Sequence, residues 1–356
     1  MLSERENYIR TVRRTGPQWI PASVHILDGV WYELGGALEE VVLRHPLIFP
    51  GYTKGDKDFK TWKPRRMHGQ TERDPWGVLW SFEYDGIEGQ AVEHPLADWA
   101  ALDGYAAPDP MRHSDREFDA YDWAAFARRT AEKKAAGELT TGALVHGYFL
   151  MRLWYLRGFE NLMLDVATDE PKLRELCEMV TTRNEVIVRR MIDAGVDVVH
   201  FGEDIGTQTA SILSPADFAK WVVPAYKRLM GPVKQAGLIV DTHSDGYIME
   251  LVDLLLGCGC DVLNPQDLCN GIDEIARTMK GRCCIKLDID RQRIVPFGTP
   301  AEIRELIEEE VRKLGSAEGG LSFICGICPP TPPENIDALC SALEEFRTYF
   351  WDGRGT

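Results

Sequence analysis

Polar and titratable residues gather at five places in the second half of this 356-residue chain, each directly after a short apolar run. They are Glu203-Asp204-Ile205-Gly206-Thr207-Gln208, Asp241-Thr242-His243-Ser244-Asp245, Asn264-Pro265-Gln266-Asp267, the set Lys286, Asp288, Asp290, and Cys325-Gly326-Ile327-Cys328. Carboxylates and an imidazole in such positions can move protons, so Asp204, His243 and Asp288 are the candidate catalytic residues. Glu203, Gln208, Asn264 and Gln266 are candidates for holding a substrate. Imidazole, thiolate and carboxylate also bind Zn²⁺, and a catalytic zinc needs only three protein ligands. On that chemistry His243, Asp245, Cys325 and Glu203 are candidate metal ligands. Each has a plainer alternative. A strand-end carboxylate is often a helix cap, His243 fits a substrate-orienting hydrogen bond, and Cys325 fits a small buried hydrophobe.

The other cysteines offer less. Cys283 and Cys284 are adjacent in an apolar run, so their side chains point to opposite faces and cannot share a metal. Cys258 and Cys260, in the stretch GCGCD, lack the second pair a structural zinc site needs. Nine cysteines, late and irregularly placed, read as free thiols rather than a disulfide framework.

Runs of alternating type position these residues. Val196 to Phe201, Gly237 to Val240, Asp261 to Asn264, Cys283 to Leu287 and Gly320 to Cys325 read as strands, each followed by an amphipathic helix. The helices carry start signals at Ser214-Pro215 with Asp217, at Thr299-Pro300 with Glu302, and at Thr331 with Glu334. Strands that are continuously apolar and alternate with helices indicate a parallel sheet covered on both faces. Ile20 to Ile26 and Val145 to Phe149 supply further strands. The expected fold is a (β/α)8 TIM barrel forming one domain over residues 1–356, with a doubly wound open sheet as the competing topology. Residues 45–115, rich in Trp, Pro, Gly and charge, read as an insertion over the barrel mouth. Its Trp76, Trp80 and Trp99, with Trp154 beyond it, either line an apolar substrate pocket or form a small core of their own.

Composition narrows the function. A formal net charge of −16 repels phosphate backbones and anionic lipid, which disfavours nucleic-acid and membrane partners. No apolar run approaches the length of a membrane span, and the charged N-terminus MLSERENYIRTVRRTG has no secretory h-region. A cytoplasmic enzyme is expected.

The chain resembles the uroporphyrinogen decarboxylase superfamily, which includes cobalamin-dependent methyltransferases. The segments that carry the resemblance are DPWGVLW at 74–80, EHPLADW at 93–99, LRGFENLMLD at 156–165, EDIGTQ at 203–208, LSPADF at 213–218, HSDG at 243–246, LDIDRQ at 287–292, GTPAEI at 298–303 and PPENI at 332–336. The decarboxylases grip substrate carboxylates with an Arg-Gln-Ala-Gly-Arg run near the N-terminus. Here that region reads Pro21-Ala22-Ser23-Val24-His25-Ile26, without arginines. The zinc methyltransferases carry His-x-Cys and a Cys-Gly-Ile segment ahead of a Glu-Asn pair. Cys325-Gly326-Ile327 and Glu334-Asn335 match the second part, but Asp245 stands where the first part has its thiolate.

A carboxylate in place of a thiolate hardens the metal as a Lewis acid, which favours polarising an ether oxygen. The resemblance therefore implies a methyltransferase that moves a methyl group from a methoxylated, aromatic small molecule to the Co(I) corrinoid of a separate corrinoid protein, with Zn²⁺ as its metal. The chain shows no Asp-x-His-x-x-Gly corrinoid motif, so the corrinoid comes with the partner. Asp204 or Asp288 would be the proton donor. The alternatives are a metal-free decarboxylase using Lys286 and Arg291 on carboxylates, and a non-catalytic tetrapyrrole-binding module.

Overall fold

The computed structural model describes residues 2–112 and 121–355. Its strands are β1 (Ala22–Ile26), β2 (Thr71–Arg73), β3 (Leu79–Ser81), β4 (Gln90–Glu93), β5 (Thr141–Ala143), β6 (Val198–Gly202), β7 (Ile239–Ser244), β8 (Val262–Pro265), β9 (Cys284–Asp288) and β10 (Leu321–Ile327). Seven form one curled, all-parallel sheet in the order β1-β10-β9-β8-β7-β6-β5. This is the expected α/β barrel architecture. Seven strands rather than eight carry it among the described residues, and β1 and β5 are its two unpaired edges.

Parallel pairing puts every C-terminal strand end on one rim. In β6, β7 and β9 every other residue faces the interior: Val198 and His200, Ile239, Asp241 and His243, Cys284, Lys286 and Asp288. The lowest of these layers is apolar. Val198, Ile239, Val262 and Cys284 pack together and against Tyr8, Ile9 and Val12 of the N-terminal helix Glu4–Arg13, which floors the barrel. The outer faces of the strands enter a single large apolar core that reaches from Val24 through Trp76 and Leu96 to Phe346.

Two expected caps hold. Ser214 accepts from the backbone N–H of Asp217, and Thr299 and Glu302 form a reciprocal capping box. The third does not. Helix Pro333–Phe346 starts from Pro332 without a side-chain cap, and the Thr331 hydroxyl donates instead to the Cys328 carbonyl at 2.7 Å. Prolines at 332 and 333 preset the entry and leave fewer N–H groups to satisfy.

The strand expected at Val145 to Phe149 lies earlier, at β5. Gly147 adopts φ +76° and turns the chain, so the apolar run bends into helix Leu150–Arg157.

The segment expected as an insertion, whose residues 113–115 lie outside the described ones, holds the second sheet, antiparallel β2-β3-β4. It packs on segments that follow β1 and β5: Gly29 N–H donates to the Gly86 carbonyl and Leu96 N–H to that of Leu156. Trp76 is fully buried beneath the guanidiniums of Arg152 and Arg183, each 5.0 Å from its ring. The Trp80 indole donates to Asp74 at 3.0 Å. Trp76 belongs to the main core, and Trp80 packs against that core and lines a small cleft with Arg66, Glu72, Asp74 and Phe82.

Candidate active site at the strand ends

The loops after β6 and β7 are pressed together. Gly246 has φ +81°, and a Cβ there would stand 2.3 Å from the Gly206 carbonyl carbon. The glycines of EDIGTQ and HSDG therefore permit the contact that brings Asp204, His243 and Asp245 to one point. Asp245 N–H donates to Asp204 Oδ1 at 3.2 Å. His243 Nε2 lies 3.4 Å from Asp245 Oδ1 and 3.8 Å from Asp204 Oδ1. A second imidazole arrives from the turn at Gly147, with His146 Nε2 3.2 Å from the same Asp204 oxygen.

The opposite nitrogen of His243 is fixed from behind. His243 Nδ1 lies 2.8 Å from Asn264 Oδ1, while Asn264 Nδ2 donates to the Lys286 carbonyl. That donation sets the amide so its oxygen faces the imidazole, and Nδ1 is the protonated nitrogen. Burial opposes a charged His243, but Asp245, Asp288 and Asp204 outweigh it and raise its pKa.

Arg291 is the counter-ion of the rim. It holds Asp245 through both carboxylate oxygens, at 2.5 Å for Oδ2, and its Nη1 lies 3.7 Å from Asp288 Oδ2. Burial works against the charge on Asp245, yet His243 and Arg291 bring its pKa below the usual range. Asp288 has the opposite balance: burial pushes its carboxyl up to about 6, and Arg291 and His243 only partly offset this.

One cavity of about 760 Å³ joins this rim to the barrel interior, lined by His243, Asn264, Asp288 and Arg291 above and by His25, His200, Asp241, Lys286 and Ser322 below. In the lower layer Asp241 accepts from Lys286 at 2.8 Å and lies 3.2 Å from His200 Nδ1. Burial disfavours the Asp241 carboxylate, but Lys286 and His200 hold its pKa well below normal. Gln208 and Gln266 line a smaller cleft of about 190 Å³ on the other side of Asp288 and Arg291. Gln266 also accepts from Gly246 N–H at 2.9 Å, supporting the loop after β7.

Among the described residues, two groups bring three metal-ligating atoms within 4.8 Å of one another: His146, Asp204 and His243, and His243, Asp245 and Asp288. Neither contains Cys325 or Glu203. Glu203 is buried and occupied, accepting from the Tyr226 hydroxyl at 2.6 Å and from the N–H groups of Met151 and Phe149 at 3.0 and 3.2 Å; burial nevertheless raises it to about 7. Cys325 is fully buried with its sulfur 3.8 Å from the Ile289 carbonyl, and burial pushes its thiol well above the usual value. Trp154 packs edge-on between Tyr155 and Phe159, within the helical layer.

Two residues at the rim have roles that their sequence context does not mark. His146 sits inside an apolar run with the look of a strand, and the only local signal is a titratable residue next to a turn glycine. Arg291 has the chemistry of a carboxylate grip for substrate, whereas the structure spends it on Asp245 and Asp288.

Residues 76–346 match the family model described as uroporphyrinogen decarboxylase (URO-D). Uroporphyrinogen decarboxylase 2, chloroplastic, of Arabidopsis thaliana is 27% identical over 51% of this chain and 45% of its own length. The methylcobamide:CoM methyltransferase MtaA of Methanosarcina barkeri is 24% identical over 44% of each chain. The chain thus spans about half the length of these curated relatives. A solved structure, described as a methyltransferase from Methanosarcina mazei, shares the fold with a TM-score of 0.68 at 14% identity, over 97% of this chain and 99% of that one.

Proposed function

The chain belongs to the uroporphyrinogen decarboxylase (URO-D) family, and from that premise we propose that it is a cytoplasmic methyltransferase taking a methyl group from a methoxylated aromatic compound to the Co(I) corrinoid of a separate protein. The observation that carries this reading is the commitment of the cations lining the upper and middle cavity. Arg291 is paired with Asp245 and Asp288, and Lys286 with Asp241. A substrate bearing many carboxylates would meet carboxylates at the rim, and the lysine and arginine of these two layers are already paired. A neutral methyl ether meets neither obstacle. The MtaA relative, whose name describes transfer of methyl groups from a methylcobamide, supports the same branch.

In the reaction the corrinoid is a substrate. Its Co(I) attacks the methyl carbon, a Co–C bond forms, the C–O bond breaks, and the electron pair leaves on the aryl oxygen. The oxygen then needs a proton. Asp288 lines the cavity beside His243, and burial raises its carboxyl to about 6, which makes it the proton donor of this reading. Asn264 fixes the His243 ring, and Arg291 holds Asp245 beside it. The His and Asp donors at the rim fit a divalent cation, which would lend Lewis acidity to the ether oxygen. Gln208 and Gln266 line the adjoining cleft, which shares Asp288 and Arg291 with the cavity.

The test is product analysis. The protein alone should leave a methoxylated arene untouched, and addition of a reduced corrinoid protein should release one phenol per methyl moved. Phenol release that needs no corrinoid, or none under any supply of it, rejects the proposal.

A further inference from the structure

The donor atoms that converge at this rim differ from the set that residue types alone nominate. We infer that a first-row divalent cation is bound by His146, Asp204 and His243, a set without thiolate, and that Cys325 is not a ligand. The inference concerns the site of the proposed methyl transfer, and its test reads the metal directly.

Geometry selects the set. His146 Nε2 and His243 Nε2 lie 3.2 and 3.8 Å from one oxygen of Asp204, and the three donor atoms fall within 4.8 Å of one another. Ions bound by imidazole and carboxylate sit about 2.0–2.2 Å from each donor, so modest side-chain movement closes this triangle on a cation. The hydrogen bond from His243 Nδ1–H to Asn264 Oδ1 supplies an independent observation. It assigns a proton to His243 Nδ1 and leaves Nε2 facing Asp204 and Asp245. With the proton on Nδ1, Nε2 is the nitrogen that can ligate a cation beside Asp204, and buttressing of the far ring nitrogen is how metal-binding histidines are oriented.

The overlapping group of His243, Asp245 and Asp288 is a poorer site. Arg291 already bonds both oxygens of Asp245 and approaches Asp288, so a metal there would sit against a guanidinium. His146 and Asp204 are instead engaged with each other and with the Asp245 N–H.

Burial and partners set Cys325 apart. Along β10, Ser322, Phe323, Ile324 and Gly326 line the cavity, whereas Cys325 is fully buried with its sulfur on the Ile289 carbonyl. Its sulfur joins neither group of converging donor atoms. Two imidazoles and one carboxylate leave coordination positions open and suit Zn²⁺ or Fe²⁺ better than a softer metal.

The experiment measures metal content and ligand type on the full chain. Wild-type protein incubated with Zn²⁺ and desalted should retain one equivalent by mass spectrometry. His146→Ala and Asp204→Asn should each retain well under half an equivalent with unchanged circular dichroism, while Cys325→Ser retains one. The Co²⁺-loaded protein should lack the intense near-ultraviolet band of a thiolate ligand. A thiolate band, loss of metal from Cys325→Ser, full occupancy in His146→Ala, or no metal in wild type would each overturn the inference. If metal follows this pattern and no methyl ether is cleaved, the functional reading fails and the site stands. Ether cleavage with metal on Cys325 leaves the function standing and removes the site.

Discussion

At the residue scale, the rim separates two carboxylates by environment. His243 and Arg291 lower the pKa of Asp245, whereas the more deeply buried Asp288 is raised to about 6. The groups facing Asp288 are Arg291, His243, Asp245 and Lys286. An acid that must be protonated to act loses activity as pH rises through its pKa. The rate of phenol release under single-turnover conditions should therefore fall as pH rises through about 6. Asp288→Asn should lower that rate by about 10²–10⁴-fold, the usual worth of a positioned proton donor, and abolish the alkaline fall. A variant that keeps the same pH profile assigns the proton to another group. Residue type and spacing make His243, Asp204, Asp245 and Asp288 legible as a cluster. They do not reveal how Asp245 is spent, because its pairing with Arg291 joins two separate loops, and nothing local marks that contact.

At the element scale, the C-terminal half is readable because its strands are buried on both faces and stand out as apolar runs between helices. Strand parity carries further information in the same sequence. Counting in twos from Lys286 places Asp288 inside the barrel. Near β5 this logic fails, since the apolar run at 145–149 bends at Gly147, and apolar character does not distinguish a buried strand from a buried turn. Parity also puts Lys286 and Asp241 into one interior layer, where the ion pair at 2.8 Å is largely buried. Breaking such a pair strands a charge and costs about 3–5 kcal/mol. Lys286→Met should lose that much in urea unfolding at pH 7, and the double variant Lys286→Met/Asp241→Asn should recover a large part of it. In wild type the folded pKa of Asp241 is depressed, so its contribution is present above the unfolded value and lost as pH falls toward the folded one. Lys286→Met should show less of this acid destabilisation. Equal stability of the single and double variants would deny the pair its role.

At the scale of the whole molecule, a curled parallel sheet floored by the N-terminal helix leaves its chemistry at the opposite rim, beside an insertion that shares the main core. Strand–helix alternation and the length of the insertion convey this plan in the sequence. The two open strand edges are not legible there, because pairing between distant strands leaves no periodic mark. No helix of the described residues is long and apolar enough to cross a membrane. On the proposed reading, the pairing of Arg291 and Lys286 favours an uncharged methyl donor at the rim, and the corrinoid acceptor would approach that rim from outside. The most direct measurement is a single-turnover absorption experiment with this protein, a reduced corrinoid protein and a methoxylated arene. The account predicts loss of the Co(I) spectrum, growth of methyl–Co(III), and phenol in equal amount. Release of CO₂ from a carboxylated tetrapyrrole without corrinoid, together with an unchanged Co(I) spectrum, would contradict it.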